Sequence, residues 1–520
     1  MAGSDHKAIG LRYLWLALFS VFVGMALSIL LRFGPVLPGS GLPWLSRFAG
    51  IPARNGTLAA LHGSLMVFFV LTAAPQAGFG NYFLPLQIGA RDTAFPRLSR
   101  LAFWSTVASL AGIASSFFFA DASVGLNVYV FSVAVFCLAG LVNALNLAVT
   151  VIDLRGEGMS LLRLPLTVWA WFVNALLSLL IFSLLLASST LLLSDRLAET
   201  QFFSQVAAGL AGAGIGVEAP EPLWQRLFWF FAQAQVYVAI LPCFGLVTHL
   251  LATFARRAVW KERLVVLALC SVGVCGFVVW GEHLFSSGLN PYSPFVFSKL
   301  ASSLGLPASV LVLSWVATLW KARLRITTAV LFALGFVSLF LTGGLSGLLM
   351  AGSGLVRRAA SADFVAGHYH LVMGISATFA LLAALFFWFP KMFARRLNET
   401  AGKVHFWLTF VGVYAVFIPM HWIGLVSSSG AVPGSVLVAA HTVILVALVV
   451  TVAAQGIFFA NLVWTLLFGQ RLAERNPWRA TTLEWSVPSP PPVDDFGAAV
   501  PLVYRGAYES LPQHFAPGEM

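Results

Sequence analysis

The chain has 520 residues, of which 59% are hydrophobic and only 9% carry a charge. Soluble domains carry about 25% charged residues, so this composition excludes a soluble enzyme and indicates a protein with many membrane spans. The net charge of +11 does not require a nucleic-acid partner, because Lys and Arg accumulate in the cytoplasmic loops of membrane proteins. Four cysteines lie in apolar runs and predict neither a disulfide framework nor a metal site: Cys137, Cys243, Cys270 and Cys275.

About twelve apolar stretches are long enough to cross the roughly 30 Å hydrocarbon core of a bilayer. A spanning segment must satisfy its own backbone hydrogen bonds, so each stretch predicts a helix. A short polar start leads directly into a full-length span, which favours an uncleaved first helix over a signal peptide. The fold class is therefore an all-α membrane protein with about twelve transmembrane helices. They are predicted near Gly10–Phe33, Thr57–Leu86, Leu98–Phe119, Leu126–Leu154, Leu166–Leu193, Leu223–Phe254, Leu264–Phe285, Ser293–Trp320, Thr327–Val356, Phe364–Phe389, His405–Ser427 and Val436–Phe468.

Lys and Arg are concentrated in alternate connections, and this asymmetry predicts the orientation. The richer set includes both ends of the bundle, so we expect both termini on the cytoplasmic side of a bacterial-type inner membrane. Residues 1–470 then form a twelve-helix domain, and residues 471–520 form a Pro-rich cytoplasmic tail, either packed on the bundle or loosely ordered. The cytoplasmic set runs from Lys7 and Arg12 through Arg91, Arg155, Arg256, Lys321 and Lys391 to Arg471 and Arg475, and the opposite set comprises Arg47, Arg54, Arg196, Arg357 and Arg358.

The predicted tenth span begins with two histidines in the stretch Gly367-His368-Tyr369-His370. Side chains at i and i+2 of a helix point about 200° apart, so these two cannot ligate one metal together. They can serve two flat cofactors, one on each side of the helix, and neutral imidazole is a common axial ligand of haem iron. The alternative is that both only hydrogen-bond neighbouring helices, although ionisable residues inside a membrane are costly and usually functional.

The predicted topology brings polar groups of distant spans to one layer in the outer half of the membrane. At 1.5 Å per residue, His62 lies about 8 Å inside the second span, and His368 and His370 lie about 6–9 Å inside the tenth. This convergence predicts a buried redox site. The sixth and seventh spans add Gln233, Tyr237, Glu282 and His283 to the layer, whereas His249, His405 and His421 are predicted to be interfacial or packing residues and His441 could face either way.

Several longer motifs follow one another in a characteristic order. They are Leu61-His62-Gly63, Gly78-Phe79-Gly80-Asn81-Tyr82, Ala94-Phe95-Pro96-Arg97-Leu98, Leu223-Trp224-Gln225, Val236-Tyr237, Ser314-Trp315, Asn476-Pro477-Trp478 and Ala480-Thr481-Thr482-Leu483-Glu484-Trp485. Over nearly its whole length the chain resembles subunit I of the haem-copper oxidases, in the A-type branch that includes cytochrome c oxidase.

The resemblance implies that His62 and His370 are the two axial ligands of a low-spin haem. It implies that His368 is the single protein ligand of a second, high-spin haem. Because a, b and o haems use the same imidazole ligation, the haem type stays open. The family works with further subunits and receives electrons from an extracytoplasmic cytochrome c or copper protein, so we expect such partners here.

The family's copper site is largely missing. In the family three histidines hold the copper, but Gln233 stands at the first position, and Glu282-His283 stands where the family has a histidine pair. Copper prefers imidazole or sulfur ligands, so we expect no copper, and a different ion at Glu282 and His283 is the alternative. Tyr237 is kept as a possible catalytic residue, although Gln233 replaces the histidine that is normally bonded to it.

Proton delivery is altered as well. By resemblance Asp92, Asn81 and Asn146 remain from one path, but Gln235 replaces its terminal glutamate and Leu311 replaces the lysine of the second path. The arginine pair that holds the haem carboxylates is also absent. Either those carboxylates use other partners, such as Arg357 or Arg358, or the second haem is missing.

Three hypotheses follow. The first is a haem-binding electron-transfer subunit of a respiratory complex with a degenerate haem-copper centre. The second is a working terminal oxidase that reduces O₂ to water with electrons from cytochrome c. The third is a structural or assembly subunit without catalysis; gas binding at an open haem position is a further possibility.

Overall fold

The computed structural model describes residues 5–36, 55–203, 223–279, 292–352, 362–427, 432–497 and 501–509. Within these residues the chain forms helices, turns and no regular β-strand. Twelve helical units follow one another, and three of them consist of consecutive pieces. They are α1 (His6–Val36), α2 (55–88), α3 (Pro96–Ser116), α4 (Ala122–Asp153), α5 (Leu166–Leu197), α6 (Leu223–Ala255), α7 (Glu262–Val278), α8 (Tyr292–Ser303 and Gly305–Leu319), α9 (Thr328–Gly352), α10 (362–393), α11 (Glu399–Val426) and α12 (Gly434–Phe468).

The predicted all-α membrane fold is confirmed. In the described part of the chain, ten units are long and apolar enough to cross a membrane, and the other two, α3 and α7, are shorter or less apolar. Most predicted ends agree with the observed ends to within a few residues. The seventh span differs most: it was expected to reach Phe285, whereas α7 ends at Val278 and residues 280–291 lie outside the described residues.

α2 and α10 are not uniform α-helices. The middle of α2, Leu65–Gly80, is wound as a π-helix, and α10 contains a shorter π-helical turn at His370–Gly374. Such turns are rare and occur frequently at functional sites. The first begins three residues after His62, and the second begins at His370 itself, so both interruptions lie directly beside candidate ligands.

The bundle is organised around α6. Of the most apolar stretch of α6, 94% of the residues are buried, against 11% for α12. α6 therefore forms the centre of the bundle, where it packs on α2, α5, α9 and α10. α12 packs mainly on α11 and α1 and directs large apolar side chains such as Trp464 and Phe468 outward, where a bilayer would cover them.

The described part of the tail is packed on the end of the bundle. Asp495 is buried against the start of α1, where His6 Nε2 lies 2.8 Å from its carboxylate and Lys7 pairs with it. Trp478 Nε1 donates to the backbone oxygen of Phe387 at 2.7 Å. The tail thus fastens the first and tenth helices at the side predicted to be cytoplasmic.

Candidate functional site

The rings of His62 on α2 and His370 on α10 face each other inside the bundle. Their centroids are 6.2 Å apart, and their planes differ by 21°. Metal–imidazole bonds are about 2 Å long, and each ring centre lies about 1 Å beyond the bonded nitrogen, so two axial imidazoles on one metal have centroids about 6 Å apart. The observed separation fits one iron between the two rings.

Backbone contacts fix the protonation of both rings. His62 Nδ1 lies 2.9 Å from the oxygen of Gly24, and His370 Nδ1 lies 2.7 Å from the oxygen of Ala366. A carbonyl only accepts hydrogen bonds, so in each ring Nδ1 carries the hydrogen and Nε2 keeps its lone pair. Among the described residues neither Nε2 takes part in a hydrogen bond. This is how metal-binding histidines are oriented by their second partner.

Neighbouring helices hold the two rings in place. At Gly24, α1 comes so close to α2 that an added Cβ would lie 2.5 Å from the Met66 sulfur. On the other side, the ring of Phe417 on α11 stacks on His370, with centroids 4.9 Å apart and planes 20° apart. The pair is therefore held by α1, α2, α10 and α11.

The side chain of His368 faces α9 and not the helices that hold the His62–His370 pair. Its Nδ1 lies 3.1 Å from the oxygen of Gly343 and 3.0 Å from Ser346 Oγ, both on α9. Glycine makes room for the ring, because a Cβ on Gly347 would lie only 2.8 Å from His368 Cε1. His368 and His370 thus occupy two faces of α10, as their spacing predicts, and His368 again has Nδ1 bound and Nε2 available.

The residues at the family's copper and proton positions are only partly described. Gln235 Nε2 donates to Thr72 Oγ1 at 2.6 Å, while its buried Oε1 has no partner among the described residues. Tyr237 packs against Gly276 of α7, where an added Cβ would meet its ring at 2.6 Å. Leu311 is completely buried among apolar side chains, and Gln233 lies on α6 two residues before Gln235.

Glu282 and His283 lie outside the described residues, as do Arg357 and Arg358. Within the described ranges, no three His, Cys, Asp or Glu side chains come together as a metal site would require.

A polar lane crosses the half of the bundle that is predicted to face the cytoplasm. Asp92 accepts from the backbone N–H of Thr93 at 2.7 Å, and Asn146 bonds the backbone of Phe95. Further inside, Asn81 Nδ2 donates to Asn143 Oδ1 at 2.8 Å. Asn143 and Asn146 are three residues apart on α4, so the two sets of contacts lie on neighbouring turns of that helix, and their role as a proton path stays a prediction.

A small cavity continues this lane toward Gln235. It has about 30 Å³ of water-accessible volume and is lined by Asn143, Gln76 and Thr72 among others. Three buried amide oxygens around the lane have no partner in the described part of the chain: those of Asn81, Asn174 and Gln235. A cavity of this size with such acceptors suits ordered water. The sequence gives no signal for Asn143, Asn174, Gln76 and Thr72, because single amides and hydroxyls within apolar runs form no pattern.

A larger apolar cavity lies between α1, α2, α10 and α12. Its volume is about 120 Å³, and its lining includes Met25, Val70, Leu382 and Phe389. Val70 follows His62 by eight residues, so the cavity begins about two helical turns further along the bundle. A cavity with this lining suits a hydrocarbon chain and would stay dry otherwise.

Comparisons with known proteins give one consistent result. The sequence model of the family described as "Cytochrome C and Quinol oxidase polypeptide I" matches residues 8–435. The chain is 36% identical to the "Alternative cytochrome c oxidase subunit 1" of Bradyrhizobium diazoefficiens, covering 99% of this chain and 91% of that protein. It is 32% identical to the cytochrome c oxidase subunit 1 of Cereibacter sphaeroides, covering 98% and 96%. A solved heme-copper terminal oxidase dimer shares the fold with a TM-score of 0.71 at 17% identity, covering 99% of this chain and 97% of that one.

Proposed function

The chain belongs to the family of cytochrome c and quinol oxidase polypeptide I, the subunit I of haem-copper oxidases, and from that premise we propose that it carries electrons through haem in a respiratory complex, with a degenerate haem-copper centre. The family consists of membrane oxidoreductase subunits that bind haem and work in electron transport. The proposal concerns what this chain does with that scaffold.

One observation carries the proposal: the facing rings of His62 and His370, with centroids 6.2 Å apart. Bound between them, haem supplies a one-electron carrier. The Nε2 atoms of His62 and His370 would both hold the iron, so this haem would carry electrons and would bind no gas or substrate. Gly24 and Ala366 orient the ligands through Nδ1, which keeps the rings fixed while the charge of the site changes. His368 would hold the second haem from the opposite face of α10.

The proposed degeneration rests on three replaced positions. Gln233 and Gln235 carry amides, which neither release protons near neutral pH nor bind copper well. Leu311 is buried and apolar, so it can relay no proton. Gln235 instead donates to Thr72 through Nε2, and a neutral amide at this position avoids the cost of a buried charge. Reduction of O₂ needs protons close to the iron, and these three positions supply none.

A working terminal oxidase is the second candidate. Three observations favour this candidate. The relatives of the chain are named cytochrome c oxidase subunit 1, His368 is oriented like a ligand, and Tyr237 is present. A second metal at Glu282 and His283 would be required. In either case we propose further subunits, an extracytoplasmic cytochrome c or copper protein as electron donor, and cytoplasmic termini.

Reduced-minus-oxidised spectra of the purified complex, together with haem, copper and O₂-uptake measurements, test the proposal. We expect a low-spin haem band, no stoichiometric copper and little O₂ uptake. His62→Ala and His370→Ala should each abolish that band. His405→Gln is the matched control, because His405 is a buried histidine that bonds Gln455 at 2.8 Å.

The outcomes separate the candidates. A preparation without haem would refute the proposal in favour of a structural subunit. Stoichiometric copper with rapid O₂ uptake would refute it in favour of a working oxidase.

A further inference from the structure

An ion pair joins α1 and α10 on the side of the histidine pair away from the apolar cavity. Arg32 Nη1 lies 2.9 Å from Asp363 Oδ1, and both side chains are partly buried. Arg32 Nη2 also contacts the sulfur of Met420 at 3.0 Å. Ionisable groups in such a position are costly unless they are paired and usually have a function.

Both partners are placed relative to the histidine pair by their helices. Arg32 follows Gly24, the partner of His62, by eight residues on α1, and Asp363 precedes His370 by seven residues on α10. Each lies about two turns, or roughly 11 Å along the helix axis, from its reference residue. Charges at this separation interact appreciably inside a protein, so the ion pair lies within electrostatic reach of the proposed haem.

The described surroundings of the histidine pair favour one orientation of a haem. The apolar cavity lies two turns from the pair in one direction, at Val70 and Thr378, and the ion pair lies two turns away in the other. Apolar substituents of a haem therefore fit the cavity side, and its carboxylates fit the side of Arg32. Asp363 then competes with those carboxylates for one guanidinium.

We propose that Asp363 sets the redox potential of the haem between His62 and His370 by neutralising Arg32, an inference that rests on the proposed function. Reduction of that site takes up one electron and forms or breaks no bond, so it lowers the local charge by one. An uncompensated cation nearby favours the reduced form. Arg32 is always charged, and the carboxylate of Asp363 offsets the effect of that charge on the redox potential.

Potentiometric titration of the low-spin haem band in the intact complex tests the inference. Asp363→Asn should shift the midpoint potential to a more positive value, and Arg32→Gln should shift it to a more negative value. The double variant should return near the parent value, because each change removes the partner of the other. Asp363→Glu, which keeps the charge, should stay near the parent value as well. Asp121→Asn is the matched control, since Asp121 only caps the exposed start of α4.

Opposite results would overturn the inference. If Asp363→Asn leaves the potential unchanged, or shifts it in the same direction as Arg32→Gln, Asp363 does not tune the haem. If Asp363→Asn loses its haem, the double variant decides: a parent-like potential supports the inference, and a shift as large as that of Arg32→Gln alone contradicts it. The proposed function fails separately, by the absence of a low-spin haem in the parent protein.

Discussion

Replacing Gly347 by alanine is the sharpest test of the second proposed haem. The new Cβ would lie 2.8 Å from His368 Cε1, whereas non-bonded carbons rest at about 3.5–4.0 Å. The ring must therefore move by about 1 Å, and metal–ligand distances tolerate only about 0.2 Å. The movement also strains the contacts of Nδ1 with Gly343 and Ser346, each worth about 1 kcal/mol. We expect Gly347→Ala to lose the carbon monoxide-reactive haem and to keep the low-spin band.

Gly344→Ala is the control for this experiment. Gly344 lies on the same helix as Gly347, and an added Cβ there would meet nothing within 4 Å. The control therefore gains the same helix propensity, about 1 kcal/mol, without crowding the His368 ring. Carbon monoxide difference spectra and haem-to-protein ratios are the measurements. If Gly347→Ala binds carbon monoxide as the parent does, His368 is not the ligand of the second haem.

Two further predictions concern the apolar cavity and the tail. The apolar cavity two helical turns from His62 predicts that the extracted low-spin haem carries a long hydrocarbon chain. Leu382→Trp, which fills the cavity, should reduce haem content, while Leu385→Met should not; extraction of a haem without such a chain would refute this. In the tail, the buried carboxylate of Glu484 lies 3.4 Å from Nε2 of His249 on α6, so His249→Ala should lower the free energy of unfolding by about 3–5 kcal/mol. Burial acts to raise the pKa of Glu484, but the neighbouring imidazole of His249 outweighs burial and lowers that pKa below its ordinary value of 4.5. The stabilisation is therefore complete above about pH 4.5 and is lost as the pH falls through the lowered pKa; detergent melting curves that show no such acid loss, or equal loss in Glu484→Gln, would contradict it.

The spans and the ligand pair were accessible from the sequence for simple reasons. Long apolar runs leave a membrane chain no alternative to helices, and two histidines two residues apart on one helix must face different neighbours. Depth predicts only that His62 and His370 lie in one layer, because both spans enter from the same side; their pairing follows from the family resemblance. The geometry adds the 6.2 Å separation and the Nδ1 contacts, which no spacing reveals.

Other parts of the site depend on contacts between distant residues. Arg32 and Asp363 are 331 residues apart and each looks like an ordinary charge at the end of a span. Similarly, Asp495 in a Pro-rich tail gives no sign that it pairs with His6 and Lys7. The π-helix in α2 was missed because an apolar run on all faces shows no periodicity from which its winding could be read.

The intact and the replaced positions lie on different helices, and this division bears on function. The candidate haem ligands and their partners belong to α1, α2, α9 and α10, whereas Gln233, Gln235 and Leu311 belong to α6 and α8. α6 is also the most completely buried helix near the centre, so the bundle needs it for packing whatever chemistry it carries. A neutral amide at Gln235 bonded to Thr72 costs less to bury than a carboxylate. On the proposed function, the scaffold would keep electron transfer without proton delivery at these positions, because the two tasks use separate helices and α6 is needed for packing.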